Sequence, residues 1–136
     1  MAFGPLTSKR QPKYNTRQRT PPVPTIYKIC SASAWREAER QGVYRGSEVD
    51  LIDGFIHFST AQQVESTAAK HFSGQKGLFL IAVDADALGD NLRWEPAREG
   101  ALFPHLYAEF DLIAVIEVFD MPLRSDGTHK IPELSS

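Results

Sequence analysis

The sequence has little of several features that mark whole classes of protein. Cys30 is the only cysteine among 136 residues, so an internal disulfide and a cysteine-cluster zinc site are both excluded. No apolar run approaches the roughly 20 residues that a membrane-spanning helix needs. Neither a P-loop nor a G-x-G-x-x-G motif occurs, and no H-x-H or H-E-x-x-H spacing suggests a metal site. We therefore expect a cytoplasmic protein with no metal and no membrane partner.

Acidic residues are missing from the first 24 residues, which hold five basic residues and five prolines. The whole chain has a net charge of −2, so a charge of +5 in this segment leaves −7 for the rest. A polar, proline-rich segment cannot bury enough surface to fold, and a basic arm for RNA or a membrane is the alternative. We predict a disordered segment over 1–24, a folded domain over 25–123 and a polar tail over 124–136. The acidic domain itself is not expected to bind nucleic acid.

The pattern of apolar residues predicts more strands than helices. Strands are expected where apolar residues alternate or run continuously, and helices where they recur at helical spacing after a capping residue such as Ser33. The predicted strands are 26–30, 54–59, 78–83, 92–95 and 113–119, and the predicted helices are 33–41 and 61–72. Residues 43–53 and 99–107 are expected to be irregular. This content indicates a single compact α+β domain with a mostly antiparallel sheet and two main helices.

The segment 54–60, Gly-Phe-Ile-His-Phe-Ser-Thr, carries the clearest signal of a site. His57 and Ser59 are two residues apart, so both side chains emerge on one face of a strand. Thr60 and Gln63 then form a capping-box pattern that starts the next helix, whose free N–H groups favour an anion. We predict that His57, Ser59 and Thr60 bind a ligand. The alternative is a half-buried histidine that bonds a neighbouring carbonyl.

Two further clusters carry side chains suited to a site. Residues 103–107, Phe-Pro-His-Leu-Tyr, could wall a ligand pocket through His105 and Tyr107, or plug one end of the core. Arg93 and Glu95 share a strand face, where they could bind a phosphate or a sugar hydroxyl, or form a plain surface ion pair. If the chain has one site, His57, Arg93 and His105 should converge within about 15 Å, the span of a drug-sized pocket.

Taken together, these motifs resemble the bacterial family known as domain of unknown function 952. The resemblance covers about residues 26–119 and leaves the activity open, because the family name states none. It rests on Ile26-Tyr27-Lys28-Ile29, Trp35, Gly42-Val43-Tyr44, Asp53-Gly54-Phe55-Ile56-His57-Phe58-Ser59-Thr60, Gln63-Val64, Leu92-Arg93-Trp94-Glu95 and Phe103-Pro104-His105-Leu106-Tyr107.

A more distant similarity links residues 56–88 to the RNA 2'-phosphotransferases of the ADP-ribosyltransferase superfamily. It rests on Ile56-His57-Phe58-Ser59, the helix to Phe72 and Leu80-Ile81-Ala82-Val83-Asp84-Ala85. The resemblance implies a split antiparallel sheet that grips NAD in its cleft. In this arrangement His57 and Ser59 would orient the nicotinamide ribose, and Tyr107 or Phe103 would stack on a ring.

The chain also departs from that superfamily. Its members carry a His or Arg on the first strand, whereas the corresponding position here falls near Tyr27 or Lys28. They often carry a catalytic Glu on a later strand, and neither Glu95 nor Glu109 lies in a matching motif. The basic residues that hold a 2'-phosphate are not evident, so the phosphotransferase reaction is not carried over.

Three functional hypotheses follow. The first is an ADP-ribosyltransferase-like enzyme or NAD-binding domain, with NAD as substrate and Glu95 polarising a ribose hydroxyl. The second is a non-catalytic small-molecule or protein-binding module on the same fold. The third is a hydrolase that uses Ser59 or Cys30 as nucleophile.

Overall fold

In a computed structural model of the chain, the structure describes residues 24–135. The strands are β1 (Thr25–Ser31), β2 (Val43–Tyr44), β3 (Ile56–His57), β4 (Leu78–Asp84), β5 (Leu92–Pro96), β6 (Leu102–Leu106), β7 (Phe110–Asp111) and β8 (Val115–Asp120). The α-helices are α1 (Ala32–Gln41), α2 (Glu48–Asp53) and α3 (Val64–His71), and short 3₁₀ helices span Asp86–Asn91, Arg98–Gly100 and Leu112–Ala114. Within the described residues, none of these helices is long and apolar enough to cross a membrane.

All strand pairs in this part of the chain are antiparallel. They form two three-stranded sheets and one separate pair of strands. The first sheet has the order β1-β4-β8 and the second has the order β3-β6-β5, while β2 and β7 form a separate pair. The two larger sheets meet at one backbone bridge, where Tyr27 and Ser59 exchange N–H···O bonds of 2.8 Å each. The predicted α+β class with mostly antiparallel strands is therefore confirmed.

The central strand β4 is buried on both faces. Leu80 packs in one apolar cluster with Val64 of α3, whereas its neighbour Ile81 packs in another with Trp35 of α1. Consecutive strand residues point to opposite faces of a sheet, so a strand between two packed layers is apolar throughout. This explains the continuous apolar run that predicted a central strand over 78–83.

Helix α1 confirms the predicted helix but begins earlier. The Ser31 hydroxyl, rather than that of Ser33, caps the helix by accepting the Ala34 N–H at 3.1 Å. Gly42 ends α1 at a φ of +79°, a left-handed conformation that glycine adopts without a steric penalty.

Helix α3 begins later than its capping pattern predicted. Gln63 Oε1 accepts the Thr60 N–H at 2.9 Å, so the backward half of the capping box forms. Residues 61–63 nonetheless make a turn, and the helix begins at Val64. The free helix N-terminus that was expected directly after Thr60 therefore lies beyond this turn.

Two segments that were expected to be irregular contain regular structure. Segment 43–53 holds β2 and α2, and α2 opens with a capping box between Ser47 and Asp50. Segment 99–107 holds β6, although Pro104 argues against an internal strand. The Pro104 carbonyl oxygen accepts the Phe58 N–H at 3.0 Å. Proline has no N–H, so Pro104 cannot donate a hydrogen bond back to Phe58. β3 ends one residue before Phe58, so the N–H that Pro104 lacks would lie just beyond the last paired residues of β3 and β6.

The residues after β8, expected as a polar tail over 124–136, pack back onto the domain. Ile131 and Leu134 contact the apolar cluster that contains Val64. The buried His129 donates through Nε2 to the Gln75 carbonyl at 2.8 Å. The packed unit thus continues past the boundary predicted at residue 123. The predicted disordered segment over 1–24, apart from Pro24, lies outside the described residues.

The two tryptophans give a matched test of the core. Trp35 is fully buried between Tyr44 and Phe110, with ring centroids 6.0 and 5.8 Å away. Trp35→Ala should lower the free energy of unfolding by about 3–5 kcal/mol, because it leaves a cavity in the core. Trp94 is 46% exposed, so Trp94→Ala should cost less than about 1 kcal/mol. Urea unfolding measures both, and equal losses would contradict this packing.

Candidate functional site

A buried carboxylate, that of Asp50 in α2, collects hydrogen bonds from three elements. Lys28 Nζ of β1 donates to Asp50 Oδ2 at 2.9 Å, and the Ser47 N–H donates to the same oxygen at 2.8 Å. His57 of β3 donates twice to Asp50 Oδ1, from Nδ1 at 2.6 Å and from its backbone N–H at 3.1 Å. The Asp50 side chain is 2% exposed and the Lys28 side chain 6%. This network fixes α2 against both β1 and β3.

The neighbours of Asp50 hold it in the ionised form. Burial alone raises the pKa of this carboxyl group, but the His57 hydrogen bond, the charge and hydrogen bond of Lys28 and the Ser47 N–H together hold the pKa of Asp50 well below its usual range. Lys28 Nζ also donates to the His57 carbonyl at 2.9 Å. These hydrogen bonds hold the Lys28 ammonium group inside the site. Removing the Asp50 carboxylate would leave a buried positive charge without a partner.

Both ring nitrogens of His57 face carboxylates. Nδ1 donates to Asp50, and Nε2 lies 3.0 Å from Oδ2 of Asp53, the last residue of α2. The side chains of His57 and Asp53 are 36% and 43% exposed. A ligand can therefore reach Nε2 of His57 only by taking the place of Asp53.

The second sheet places three of the predicted site residues side by side. His57 of β3 lies opposite His105 of β6, and His105 lies opposite Arg93 of β5. Residues that face each other in antiparallel strands project to the same side of the sheet. The ring centroids of His57 and His105 are 5.5 Å apart, and the Arg93 guanidinium lies 4.9 Å from the centroid of the Tyr107 ring. The structure thus brings His57, Arg93 and His105 together, as the single-site hypothesis required.

Glu95 connects His105 to Tyr107. Its Oε1 accepts hydrogen bonds from His105 Nδ1 and from the Tyr107 hydroxyl, each at 2.8 Å. The bond from His105, followed by that from Tyr107, lowers the pKa of Glu95, and the bond to Glu95 raises the pKa of Tyr107. Glu95 Oε2 and His105 Nε2 make no hydrogen bond to any residue of the described chain. No group of three His, Cys, Asp or Glu side chains in 24–135 is placed to hold a metal ion.

An aromatic ring covers the two histidines. Phe55, which precedes β3, stacks on His105 with centroids 4.1 Å apart and an interplanar angle of 23°. Its ring also lies 4.6 Å from that of His57 and 5.2 Å from that of Tyr107. His105 is 6% exposed under this cover. Phe55 therefore separates most of the His105 ring from solvent.

A groove of about 350 Å³ lies next to Phe55, near the lower end of the size range of small-molecule pockets. Its lining is both apolar and charged: Arg45, Asp50, Leu51, Gly54, Phe55, Ile56, Leu106, Tyr107, Ala108 and Glu109. Arg45 and Glu109 form an exposed ion pair at 2.9 Å across this lining. A separate groove of about 370 Å³ lies between α3 and the C-terminal segment and shares no residue with it.

Ser59 and Thr60 have other partners than the histidines. The Ser59 hydroxyl is 3.0 Å from Thr67 Oγ1 of α3, and the residue is 4% exposed. Thr60 is bonded to Gln63 in the turn before α3. Of the three ligand-binding residues predicted in 54–60, His57 alone lies beside His105.

The two residues that the hydrolase hypothesis offered as nucleophiles are both shielded. Cys30 is 4% exposed, and burial raises the pKa of its thiol to about 12. The Ser59 hydroxyl is buried against α3. A reactive thiol needs exposure and a lowered pKa, so the hydrolase hypothesis gains no support here.

Three residues next to His57 were not predicted to be site residues: Lys28, Asp50 and Asp53. The spacing of Ser47 and Asp50 is that of a capping box, and it could have placed α2 and its first turn. The resemblance placed Lys28 near the first-strand ligand position, but the strand pattern did not indicate that it is buried, because a lysine in an alternating strand is expected to face solvent. It is buried only because Asp50, from a different segment, supplies a partner.

The chain is similar to proteins that are themselves described without an activity. A family model, "Protein of unknown function (DUF952)", matches residues 29–118. A crystal structure of protein CC0527 from Caulobacter crescentus is 48% identical, with a TM-score of 0.76 over 78% of this chain and 93% of that one. The solution NMR structure of CC0527 is 48% identical, with a TM-score of 0.70 over 78% and 91% of the two chains. No curated protein matches the chain.

Asp50→Asn should destabilise the protein by about 3–5 kcal/mol, because it leaves the Lys28 charge buried without its partner. Because the pKa of Asp50 is lowered by folding, its ionised form contributes stability above about pH 4 that is lost as the pH falls below that value. The variant should therefore lose less stability on acidification than the parent. Urea unfolding between neutral and acidic pH measures both effects.

Asp53→Asn is the matched control. Asp53 is on the same helix and also contacts His57, but its side chain is 43% exposed, so the substitution should cost less than about 1 kcal/mol. Combining Asp50→Asn with Lys28→Met should recover part of the loss, since both buried charges are then removed. A loss under about 0.5 kcal/mol for Asp50→Asn alone would contradict this reading of the network.

Proposed function

This chain belongs to the DUF952 family of proteins of unknown function, and we propose that it is a nucleotide-binding domain of the ADP-ribosyltransferase type. NAD is the candidate ligand and substrate. The observation that carries the proposal is the convergence of His57, His105 and Arg93 on one sheet face, with Phe55 and Tyr107 between them and a groove alongside.

The chemistry of this face matches the parts of a dinucleotide. Tyr107 is 37% exposed, and its ring offers a surface on which a nicotinamide or adenine ring can stack. Arg93 and Arg45 can bind phosphate oxygens, for which a guanidinium is suited by charge and shape. His105 Nε2 and Glu95 Oε2 make no hydrogen bond within the described residues and are left for a ligand.

The arrangement of the sheets is also compatible with that superfamily. In the described residues, backbone hydrogen bonds join the first and second sheets at the Tyr27–Ser59 bridge alone, so the backbone is divided in the way that a split sheet requires. Lys28 occupies the first-strand region in which the superfamily carries a His or Arg. Because its charge is held by Asp50, Lys28 would act on a ligand by positioning His57 rather than by contact.

Glu95 is the candidate for the catalytic carboxylate. One oxygen is held by two donors, which fixes the orientation of the group, and the other oxygen makes no hydrogen bond to a described residue. A carboxylate fixed in this way can polarise a ribose hydroxyl during transfer. Its exposure of 34% allows a ligand to approach.

A specific observation favours a second candidate, a binding module without catalysis. Most polar groups of the cluster already bond one another: Lys28 with Asp50, His57 with Asp50 and Asp53, and Glu95 with His105. A network that is satisfied internally holds a site rigid but leaves few groups to drive a reaction. Binding of a small molecule needs no more than the groups that remain.

Titration with NAD, followed by NMR of the labelled protein, tests the proposed ligand. We expect the resonances of His57 and His105 to shift when NAD is added to millimolar concentration. His105→Ala should bind NAD at least about tenfold more weakly, which corresponds to about 1.4 kcal/mol. His71→Ala is the control, since His71 is an exposed histidine of α3 and should leave the affinity unchanged. Absence of any shift near the two histidines would overturn the proposal.

Nicotinamide release separates the two candidates. Release that disappears in Glu95→Gln while NAD binding persists would assign transfer chemistry to Glu95. NAD binding without nicotinamide release in the parent protein would favour the binding module without catalysis.

A further inference from the structure

We propose that the ligand donates a hydrogen bond from a hydroxyl group to Nε2 of His105, so that this point of the site recognises a sugar rather than a phosphate. The inference rests on the proposed function for the location of the site. It adds the chemical class of the group that binds there.

The hydrogen bonds of His105 fix which of its nitrogens can accept. Glu95 Oε1 lies 2.8 Å from Nδ1, and an ionised carboxylate can only accept, so the proton of the neutral ring resides on Nδ1. Nε2 then carries a lone pair and no proton. The Tyr107 hydroxyl donates to the same Glu95 oxygen, which removes the freedom of the carboxylate to turn away.

His105 Nε2 is a buried acceptor without a partner in the described chain. The His105 side chain is 7% exposed, and within the described residues its ring makes a hydrogen bond through Nδ1 alone. A buried polar atom that lacks a partner costs free energy, and supplying the partner recovers it. A group that donates to Nε2 therefore gains more here than it would at an exposed nitrogen.

The surrounding charges select against an anion at this position. Glu95 lies on one side of the ring, and the His57 ring, 5.5 Å away, is held between Asp50 and Asp53. The oxygens of a phosphodiester or of a dinucleotide's diphosphate carry no proton to donate, so they cannot bond Nε2, and the Glu95 carboxylate repels them there. Arg93, opposite His105 in the sheet, is the group of this face that can hold them instead. A sugar hydroxyl donates to Nε2 and can accept from a neighbour, so it satisfies both requirements.

His57 illustrates the contrast. Its Nδ1 and Nε2 both face carboxylates, so it offers a ligand no free acceptor. Access to His105 passes the ring of Phe55, which stacks on it at 4.1 Å. We therefore expect Phe55 to shift when a hydroxyl-bearing ligand binds.

Long-range proton–nitrogen NMR of histidine-labelled protein tests the inference, with ribose, adenosine, 2',3'-dideoxyadenosine and dimethyl phosphate, an anion that can only accept, as probes. In the ligand-free protein, the neutral His105 ring should carry its proton on Nδ1. Adenosine and ribose should shift the Nε2 resonance, and dimethyl phosphate should not. Dideoxyadenosine should bind at least about tenfold more weakly than adenosine, as the loss of one buried hydrogen bond implies.

Glu95→Gln supplies the decisive variant. An amide can donate to Nδ1, which moves the ring proton to Nε2 and turns the acceptor into a donor. A hydroxyl can accept from Nε2–H as well as donate to Nε2, so the readout is dimethyl phosphate, which can only accept. It should shift the Nε2 resonance in this variant and not in the parent. Glu37→Gln, which neutralises an exposed acid of α1, is the control and should leave dimethyl phosphate without effect on Nε2.

The outcomes separate this inference from the proposed function. Adenosine and dideoxyadenosine binding equally, or a proton on Nε2 in the free protein, would overturn the inference and leave nucleotide binding intact. Ribose shifting His105 while no nucleotide binds would overturn the proposed function and support the inference. No response of His105 to either sugar probe would overturn both.

Discussion

The buried carboxylate of Asp50 is the constraint on which the rest of the site depends. It receives hydrogen bonds from Lys28 of β1, from Ser47 at the start of α2 and from both the ring and the backbone of His57. Helix α2 and strand β3 are thereby joined to β1, whose Lys28 is 22 residues from Asp50 in the sequence. A buried charge is tolerated only when it is paired and hydrogen-bonded, so these contacts form together or not at all.

Two layers of interaction extend outward from that point. The Asp50 network orients His57, and the sheet register then sets His57 beside His105 and His105 beside Arg93. Phe55 covers the histidines, and Glu95 holds His105 from the far side. The inner layer is satisfied by its own members, while His105 Nε2 at the outer layer makes no hydrogen bond within the described residues. This division is how a network built for stability could also present the binding group that we propose.

The elements that were predicted correctly are those whose sequence pattern is local. β1, β4 and α1 each follow from apolar periodicity, and Gly42 marks the end of α1. β6 was missed because Pro104 argues against a strand, and its place in the sheet depends on where β3 stops. The residues of the site face were predicted from their spacing. Lys28 and Asp50 were not, because each is buried only through the other, and no single segment contains that information.

The state of the Asp50 carboxyl tests the central claim most directly. A carbon-13 NMR titration of selectively labelled aspartate follows this group through the acidic range. We predict that Asp50 stays ionised well below the pH at which an ordinary aspartate takes up its proton, because Lys28 and His57 hold the charge. A midpoint at or above the ordinary aspartate value would mean that the network does not hold the charge, and would contradict the account.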